Sequence, residues 1–443
     1  MARPHKKPRV PEGVFSARID DLAHDGRGVA RCDGKAVFIE GALPGEQVEF
    51  RYTARRSSLD EGVVTAVLDA SPDRVEPRCA HFGLCGGCSL QHLAAERQIA
   101  FKQAQLLDNL ARIGKVAPAE VLAPLTGPHW GYRQKARLGV KDVAKKGRVL
   151  VGFREKHSPY LAELTRCEVL HPRVGGLLLA LSELVGSLSI RARVPQIEVA
   201  VGDDAVALCF RVMDPPSDAD RERLVAFAQA HAVQVLLQPG GPESTVALWP
   251  DTEALSYRLP DFGLELAFRP FHFTQVNGAI NRSMVARAIE LLDVGPAHAV
   301  LDLFCGLGNF TLALARRAGR VVGVEGEASL VDWARGNAVR NGIGNAEFHV
   351  ADLTADILGQ AWRRGEYDRI LLDPPRSGAL EMMPHVAALG ARRVVYVSCH
   401  PATLARDAGE LVHTYGFRLL AAGVMDMFPH TAHVESIALF ERG

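Results

Sequence analysis

The sequence predicts a three-part chain that ends in a doubly wound α/β sheet, and three observations predict it. From residue 299 to 375, apolar β-branched runs alternate with helical stretches, the pattern of a mostly parallel sheet covered on both faces. The first 70 residues carry short strand-like runs separated by turn dipeptides, as small all-β barrels do. Between these parts stand three closely spaced thiols, then a block in which basic and aromatic residues interleave.

Composition bounds the reading. With 443 residues, 48% hydrophobic and 23% charged, the chain can build two or three domains, each with its own core. Lys plus Arg balances Asp plus Glu at 51 each, so any basic footprint has to be local. The most apolar stretch, Leu177 to Leu188, is interrupted by Glu183 and is too short to span a bilayer. Met1 to Lys7 has no apolar run behind its charges. The expectation is a cytoplasmic protein without membrane association and without an obligate protein partner. Eight cysteines (Cys32, Cys79, Cys85, Cys88, Cys167, Cys209, Cys305, Cys399) are too few for a disulfide scaffold in so long a chain. The crowding of three of them favours a metal.

Arg3, Lys6, Lys7 and Arg9 form a basic arm, readable as a nucleic-acid contact or as a solvated tail. Strand character follows at Val14 to Ile19, Ala36 to Ile39, Val48 to Tyr52 and Gly62 to Leu68, with turns at Asp25-Gly26, Asp33-Gly34 and Pro44-Gly45. Arg51, Arg55 and Arg56 stand together after the third run, and small open barrels often hold oligonucleotides. On Gly26-Arg27-Gly28-Val29-Ala30 and Gly41-Ala42-Leu43-Pro44-Gly45-Glu46, the stretch resembles the TRAM domain, which implies RNA binding.

Cys79, Cys85 and Cys88 follow, with Gly86-Gly87 letting the backbone curl between the last two. Such a run supplies three ligands and needs a fourth; Cys167 is the best placed, with Cys209 and Cys32 behind it. By softness, four thiolates suit zinc and an iron–sulfur cluster equally well. A thioredoxin-like pair would leave Cys79 unexplained and lacks a βαβ setting. Ala94 to Ile113 has helical spacing at Ile99, Leu106, Leu107 and Leu110, and Gly114 is expected to end the helix. From Trp130 to Lys156 nine Lys or Arg face only Asp142 and Glu155, with Trp130, Tyr132 and Phe153 among them. Cations for phosphates with rings for unpaired bases suit single-stranded or loop RNA; a solvated hairpin is the plainer reading. Residues 170–268 alternate strands and helices and carry no chemistry that can be named.

The last part opens at Phe268 to Asn277, followed by a helix with Met284, Ala288 and Leu291 on one side. Ala299 to Phe310 reads as a buried strand, a glycine turn (Gly306, Gly308) and a helix start. Glu325 ends the next strand at the distance a ribose-binding carboxylate requires, Asp352 ends a third and Asp373 a fourth. The phosphate cradle is incomplete, because Phe310-Thr311 stand where a third glycine belongs. Acids line the turns, which favours a cationic, phosphate-free ligand such as S-adenosylmethionine over a dinucleotide. Asp373-Pro374-Pro375 is followed by Arg376, not by the aromatic residue usual in amino-methylating enzymes.

Val394 to Val397 is a buried strand that delivers Cys399 to the ligand-binding edge. A small buried hydrophobe is the alternative for a lone cysteine. A thiolate adding at uracil C6 makes C5 nucleophilic enough to accept a methyl group, and a base must then remove the C5 proton. Glu435, leading into the apolar run Ile437 to Phe440, is a carboxyl whose burial raises its pKa toward that task. A structural salt bridge is its other reading, and His430 or His433 could serve as base instead.

Ser398 to Asp407, Asp373 to Arg376, Phe304 to Phe310 and Asp426 to Glu435 together resemble the RNA 5-methyluridine methyltransferases. With the TRAM-like start and the thiol cluster, nearly the whole chain is similar to the subgroup that methylates 23S ribosomal RNA at uridine 1939 and carries a [4Fe–4S] cluster. The resemblance implies a Rossmann-like class I methyltransferase domain over 269–443, a TRAM barrel over 1–70 and a central α+β iron–sulfur domain over 71–268. The helix over 94–113 is expected to pack on the methyltransferase domain. It further implies Cys399 as nucleophile, Glu435 as base, and Gln275, Phe304, Asn309, Glu325, Asp352 and Asp373 as cofactor-site residues. Cys79, Cys85, Cys88 and Cys167 become the cluster ligands and 23S ribosomal RNA the partner. His400 departs from the Asn that the family often has beside its nucleophile, and another ribosomal or transfer RNA uridine remains the alternative target.

Overall fold

The computed structural model describes residues 9–443 apart from 253 and 356, so Arg3, Lys6 and Lys7 of the basic arm lie outside the described residues. Two compact units divide the chain: Met1–Phe101 with Glu155–Ser158 and Pro429–His433, and Lys102–Arg154 with Pro159–Phe428 and Val434–Gly443.

In the first unit, β1 (Phe15–Arg18), β2 (Asp21–Leu22), β3 (Gly28–Cys32), β4 (Lys35–Glu40), β5 (Gln47–Arg55) and β6 (Leu59–Asp69) form one sheet in the order β1-β5-β6-β4-β3-β2. Only β4 and β6 run parallel; the other neighbours are antiparallel. Alternate residues point inward, and Ile19, Ala30, Val37, Ile39, Val48 and Phe50 make its core. Gly26, Gly34 and Gly45 take positive φ in the turns, the conformation that the Asp-Gly and Pro-Gly dipeptides foretell.

The second unit holds the remaining sheets. Helix α1 (Ala95–Asn109) passes into a π-helical turn, Leu110–Gly114, and then β7 (Glu120–Val121). Next come β8 (Lys135–Val143), β9 (Arg148–Gly152), α2 (Pro172–Gly175), α3 (Leu178–Ser187), β10 (Gln196–Val201), β11 (Val206–Arg211), α4 (Asp218–His231), β12 (Gln234–Gln238) and β13 (Val246–Trp249). Their strands form a sheet in the order β13-β12-β11-β10-β8-β9. A hairpin of β14 (Leu255–Leu259) and β15 (Leu264–Phe268) precedes the last layer.

That layer runs α5 (Gly278–Leu292), β16 (Ala299–Leu303), α6 (Thr311–Ala315), β17 (Arg320–Glu325), α7 (Ala328–Arg340), β18 (Ala346–Val350), β19 (Arg369–Leu372), α8 (Met383–Ala388), β20 (Arg393–Ser398), α9 (Pro401–His413), β21 (Arg418–Met425) and β22 (Glu435–Glu441). The sheet order is β18-β17-β16-β19-β20-β22-β21-β7, parallel from β18 through β20 and with β22 antiparallel to both neighbours. This is the doubly wound sheet that the alternation predicts. Its order reverses at β16, so β17 and β19 diverge there and open a crevice at the carboxyl ends. Helix α5 buries Met284, Ala288 and Leu292, with Leu291 only partly covered, so its apolar stripe is shifted one residue from the expected Leu291.

Gly114 does not end its helix in the way the sequence suggests. The left-handed residue is Lys115 (φ 54°), and a Cβ on Gly114 would stand 2.4 Å from the Ala405 carbonyl oxygen. The glycine is there for the close approach of that turn to α9, not for its own backbone freedom.

Candidate active site

Register alone brings the two residues of greatest chemical interest together. In the antiparallel β20–β22 ladder Ser398 pairs with Ser436 and Val397 with Ile437, so Cys399 and Glu435 each stand one residue beyond the last pair. The Ser436 hydroxyl donates to the Ser398 carbonyl at 3.1 Å, fixing that pair. Cys399 then leaves the sheet at His400, whose Nδ1 accepts from the Thr403 amide at 3.4 Å and caps α9. Asparagine is a strong cap for the same reason, which accounts for the departure at this position.

Glu435 is buried, and burial pushes its carboxyl up to about 8; Asp373 adds to the rise, while Arg376 and Lys102 oppose it. Burial likewise pushes the Cys399 thiol up to about 11, with Glu435 and Asp373 raising it and Arg376 lowering it. Asp373, just past the end of β19, is pushed up to about 7 by burial. The Gln275 side-chain amide reaches its Oδ2 at 3.5 Å. Cys399, Glu435 and Asp373 thus lie within electrostatic reach of one another, with the exposed Arg376 at their edge.

The glycine turn after β16 lies beside it. Phe304 takes φ 66°, Gly306 φ 53° and Gly308 φ 88°, a tight turn whose amides are used internally, Cys305 by the Val324 carbonyl at 3.0 Å and Gly308 by the Cys305 carbonyl at 2.9 Å. The Glu325 carboxylate accepts from the amides of Gly306 at 3.1 Å, Gly326 at 2.7 Å and Glu327 at 3.1 Å. Asn309 is held by the Tyr257 hydroxyl at 2.9 Å and by a pair of amide contacts with Asn281 at 3.1 and 2.9 Å. Asp352 is exposed at the mouth, its carboxyl held low by the hydroxyl and amide of Thr354. A shallow cleft opens here, lined by Gln134, Tyr257, Thr274, Gln275, Asn281 and Arg282 among others.

Sequence reasoning missed the acid beneath this turn. Asp302 is fully buried in β16, takes the Thr311 hydroxyl at 2.5 Å on Oδ2, and has no hydrogen-bond partner for Oδ1 among the described residues. Burial, with Asp373 and Glu325 nearby, pushes it up to about 8. A charged residue inside an apolar strand was the available signal. Acidic side chains gather around a strand turn open to a ligand, where backbone amides hold Glu325, so the residues fit a sulfonium cofactor. Lys102 was missed too, although it stands at helical spacing with Leu106 and Leu110 and is buried with them.

His430 and His433, the alternative bases, belong to the first unit. There His430 is buried, its amide donating to Gln98 Oε1 at 2.8 Å. Cys79, Cys85 and Cys88 lie on one turn-rich loop of the same unit, and Cys167 in the second. Burial raises the Cys85 thiol, Cys79 adds to this and Lys156 opposes it. None of the eight cysteines is disulfide-bonded. Among the described residues no three His, Cys, Asp or Glu side chains stand as a metal-holding group, so the thiols suit the expected metal centre by chemistry while their geometry does not assemble it. Part of the basic block is spent on local pairs: Arg137 with Glu198 at 3.1 Å, Lys146 with Glu163 at 2.5 Å, and Lys156 with Glu40 at 2.6 Å.

Comparison with known proteins agrees with this geometry. Residues 247–443 match the family model described as tRNA (Uracil-5-)-methyltransferase, and residues 14–53 match the TRAM domain. The chain is similar to the 23S rRNA (uracil(1939)-C(5))-methyltransferase RlmD of Alkalilimnicola ehrlichii, 57% identical over 99% of this chain and 98% of that one. It is 54% identical to the protein of the same name from Methylococcus capsulatus, over the full length of both. Among solved structures it resembles the Pyrococcus abyssi tRNA (uracil-54, C5)-methyltransferase in complex with S-adenosyl-L-homocysteine. That match has a TM-score of 0.74 and 24% identity over 96% of this chain and 99% of that one, a likeness of fold.

Proposed function

The chain belongs to the family of 23S rRNA (uracil(1939)-C(5))-methyltransferases, and from that premise we infer that it methylates C5 of a uridine in 23S ribosomal RNA, with uridine 1939 as the target. The observation that carries the reading is the β20–β22 register, whose last pair, Ser398 with Ser436, leaves a thiol and a buried carboxyl each one residue beyond it, near the ligand edge of the sheet. S-adenosylmethionine supplies an electrophilic methyl group on a cationic sulfur. Every other part of the chemistry falls to residues of the chain.

Cys399 Sγ adds to uracil C6, and the C5–C6 π electrons move toward C5 and O4. C5 then takes the methyl group. Glu435 accepts the C5 proton, the C5=C6 bond reforms, and the Cys399 thiolate leaves, so atoms and charges balance over the cycle. A carboxyl raised to about 8 is a stronger base than an exposed one, which matches the demand of that step. Arg376 is the cation that favours the Cys399 thiolate. Gln275, Phe304, Asn309, Glu325, Asp352 and Asp373 form the cofactor site in this reading, with Glu325 and Asp352 toward ribose and Asp302 completing the acidic lining below.

The TRAM domain and the unpaired part of the basic block supply RNA contacts, and we retain 1–70, 71–268 and 269–443 as the domain division. A [4Fe–4S] cluster on Cys79, Cys85, Cys88 and Cys167 is the finer reading of the thiol cluster, supported by thiol spacing; no catalytic step runs through it. The test of the central reading is transfer of labelled methyl from S-adenosylmethionine to a 23S rRNA transcript. Cys399→Ala is expected to abolish transfer while the fold and cofactor binding persist. Turnover by that variant at the normal rate would reject the mechanism.

A further inference from the structure

Lys102 is a fully buried cation on α1, a helix that supplies no catalytic or cofactor-site residue of this reading. Its Nζ donates to the buried Asp426 Oδ1 at 2.7 Å and to the carbonyl of the half-buried Phe428 at 2.9 Å. Burying such a pair is no net source of stability, since apolar residues of the same volume do as well or better. Its position is what distinguishes it. Asp426 directly follows Met425, the register partner of Glu435 in the β21–β22 ladder, so the ammonium is anchored one residue past the base's strand partner, close enough for its charge to act on the Glu435 carboxyl.

Charges reach Glu435 from several elements packed on it, and Asp426, paired with Lys102, offsets part of that ammonium's field. Asp373 beyond β19 and Cys399 beyond β20 oppose its ionisation when charged, whereas Arg376 on the Asp373–Gly378 loop and Lys102 on α1 favour it. Arg376 is exposed and its field is screened by salt; Lys102 is not.

We propose that Lys102 is a positioning residue for proton removal: held by Asp426, it is the fixed buried cation that eases ionisation of Glu435, so that more of the base is available when the methylated adduct forms. The proposal rests on the reading of Glu435 as base. Lys102 touches neither substrate nor cofactor and acts through Glu435 alone.

The experiment follows the full-length protein with S-adenosylmethionine and a transcript of the 23S rRNA segment around uridine 1939 made with 5-tritiated uridine, so that tritium release reports proton removal and methyl incorporation reports transfer. In Lys102→Met, release at neutral pH is expected to fall about tenfold, one unit of displacement in the base, and to recover toward the native rate as pH rises. Methyl incorporation in a single turnover falls less, the covalent adduct lingers, and 0.5 M salt (about a threefold to fourfold shorter screening length than at low salt) leaves the difference in place. Lys102→Arg, if it keeps the charge in place, restores the native pH profile. A release profile in Lys102→Met that overlays the native one overturns the proposal, as does an equal loss of transfer and release at every pH, the mark of a purely structural role. Should Lys102→Met not fold, Lys102→Met with Asp426→Asn leaves no lone buried charge and carries the same readout. Glu435→Gln run in parallel separates the two claims: normal tritium release there rejects Glu435 as base, whereas stalled release there with a native profile in the Lys102 variant rejects only the role of Lys102.

Discussion

Glu435 sits where a carboxylate is costly, and that cost is measurable without any substrate. Its folded pKa, about 8, stands above the ordinary value of 4.5, so the folded protein holds this proton more tightly than the unfolded chain. The stability from that proton is complete below pH 4.5 and is lost as pH rises through about 8. Glu435→Gln escapes the loss, so its melting temperature should exceed that of the native protein by a margin that grows across this window, with a gain on the order of a few kcal/mol at the alkaline end. Melting curves whose separation does not change with pH would contradict the burial argument. Cys399 and Glu435 were both legible from sequence, the first as a thiol ending a β-branched run and the second as an acid entering an apolar one. Asn281, Tyr257 and Lys102 were not named, because each acts through a contact made by residues far apart in the chain, whereas Asp302, bonded to Thr311 nine positions on, was in view as an acid inside an apolar strand. The Tyr257 hydroxyl meets Asn309 52 positions away, and Lys102 meets Asp426 at a separation of 324. Periodicity marks a residue as buried; it does not say against what.

At the level of elements, the nucleophile is carried by a strand–loop–helix corner whose helix is packed unusually close to the turn after α1. Gly114 against Ala405, and Gly409 with a would-be Cβ 2.8 Å from the Gly114 oxygen, leave no room for a methyl group on either side. His413 Nε2 lies 3.0 Å from the Gly114 oxygen, at the far end of α9. Gly114→Ala should therefore destabilise the protein by roughly 1–3 kcal/mol and lower methyl transfer by shifting α9 and the Cys399 loop at its start. Unchanged melting and activity would show that the turn can move away freely. Sequence reading placed a helix end at this glycine from its conformational freedom and so found the position for the wrong reason. The same reading had the alternating strands right, since each of β16, β17, β19 and β20 is buried on both faces and announces itself as an apolar run. It missed β3, whose sequence Gly-Val-Ala-Arg-Cys has too little apolar alternation to stand out, and β7, two residues long and fixed only by pairing with β21.

For the molecule as a whole, the comparisons fix the family and the sequence supplies the rest as proposals: the cluster, the domain limits and the residue roles. The thiol cluster makes a plain prediction. Full-length protein purified without oxygen should be brown and carry about four iron and four sulfide per chain, and Cys85→Ser should remove both. Colourless protein with one bound zinc would replace the cluster by another metal, and protein with neither would end the metal reading. The central claim, covalent catalysis by Cys399 with Glu435 as the base, is tested most directly by trapping. Glu435→Gln incubated with S-adenosylmethionine and a 23S rRNA transcript, then run on a denaturing gel and weighed by mass spectrometry, should give a protein–RNA adduct carrying one added methyl group, absent when Cys399→Ala is combined with it. Finding only free, unmethylated RNA, or released 5-methyluridine at the native rate, would contradict the account.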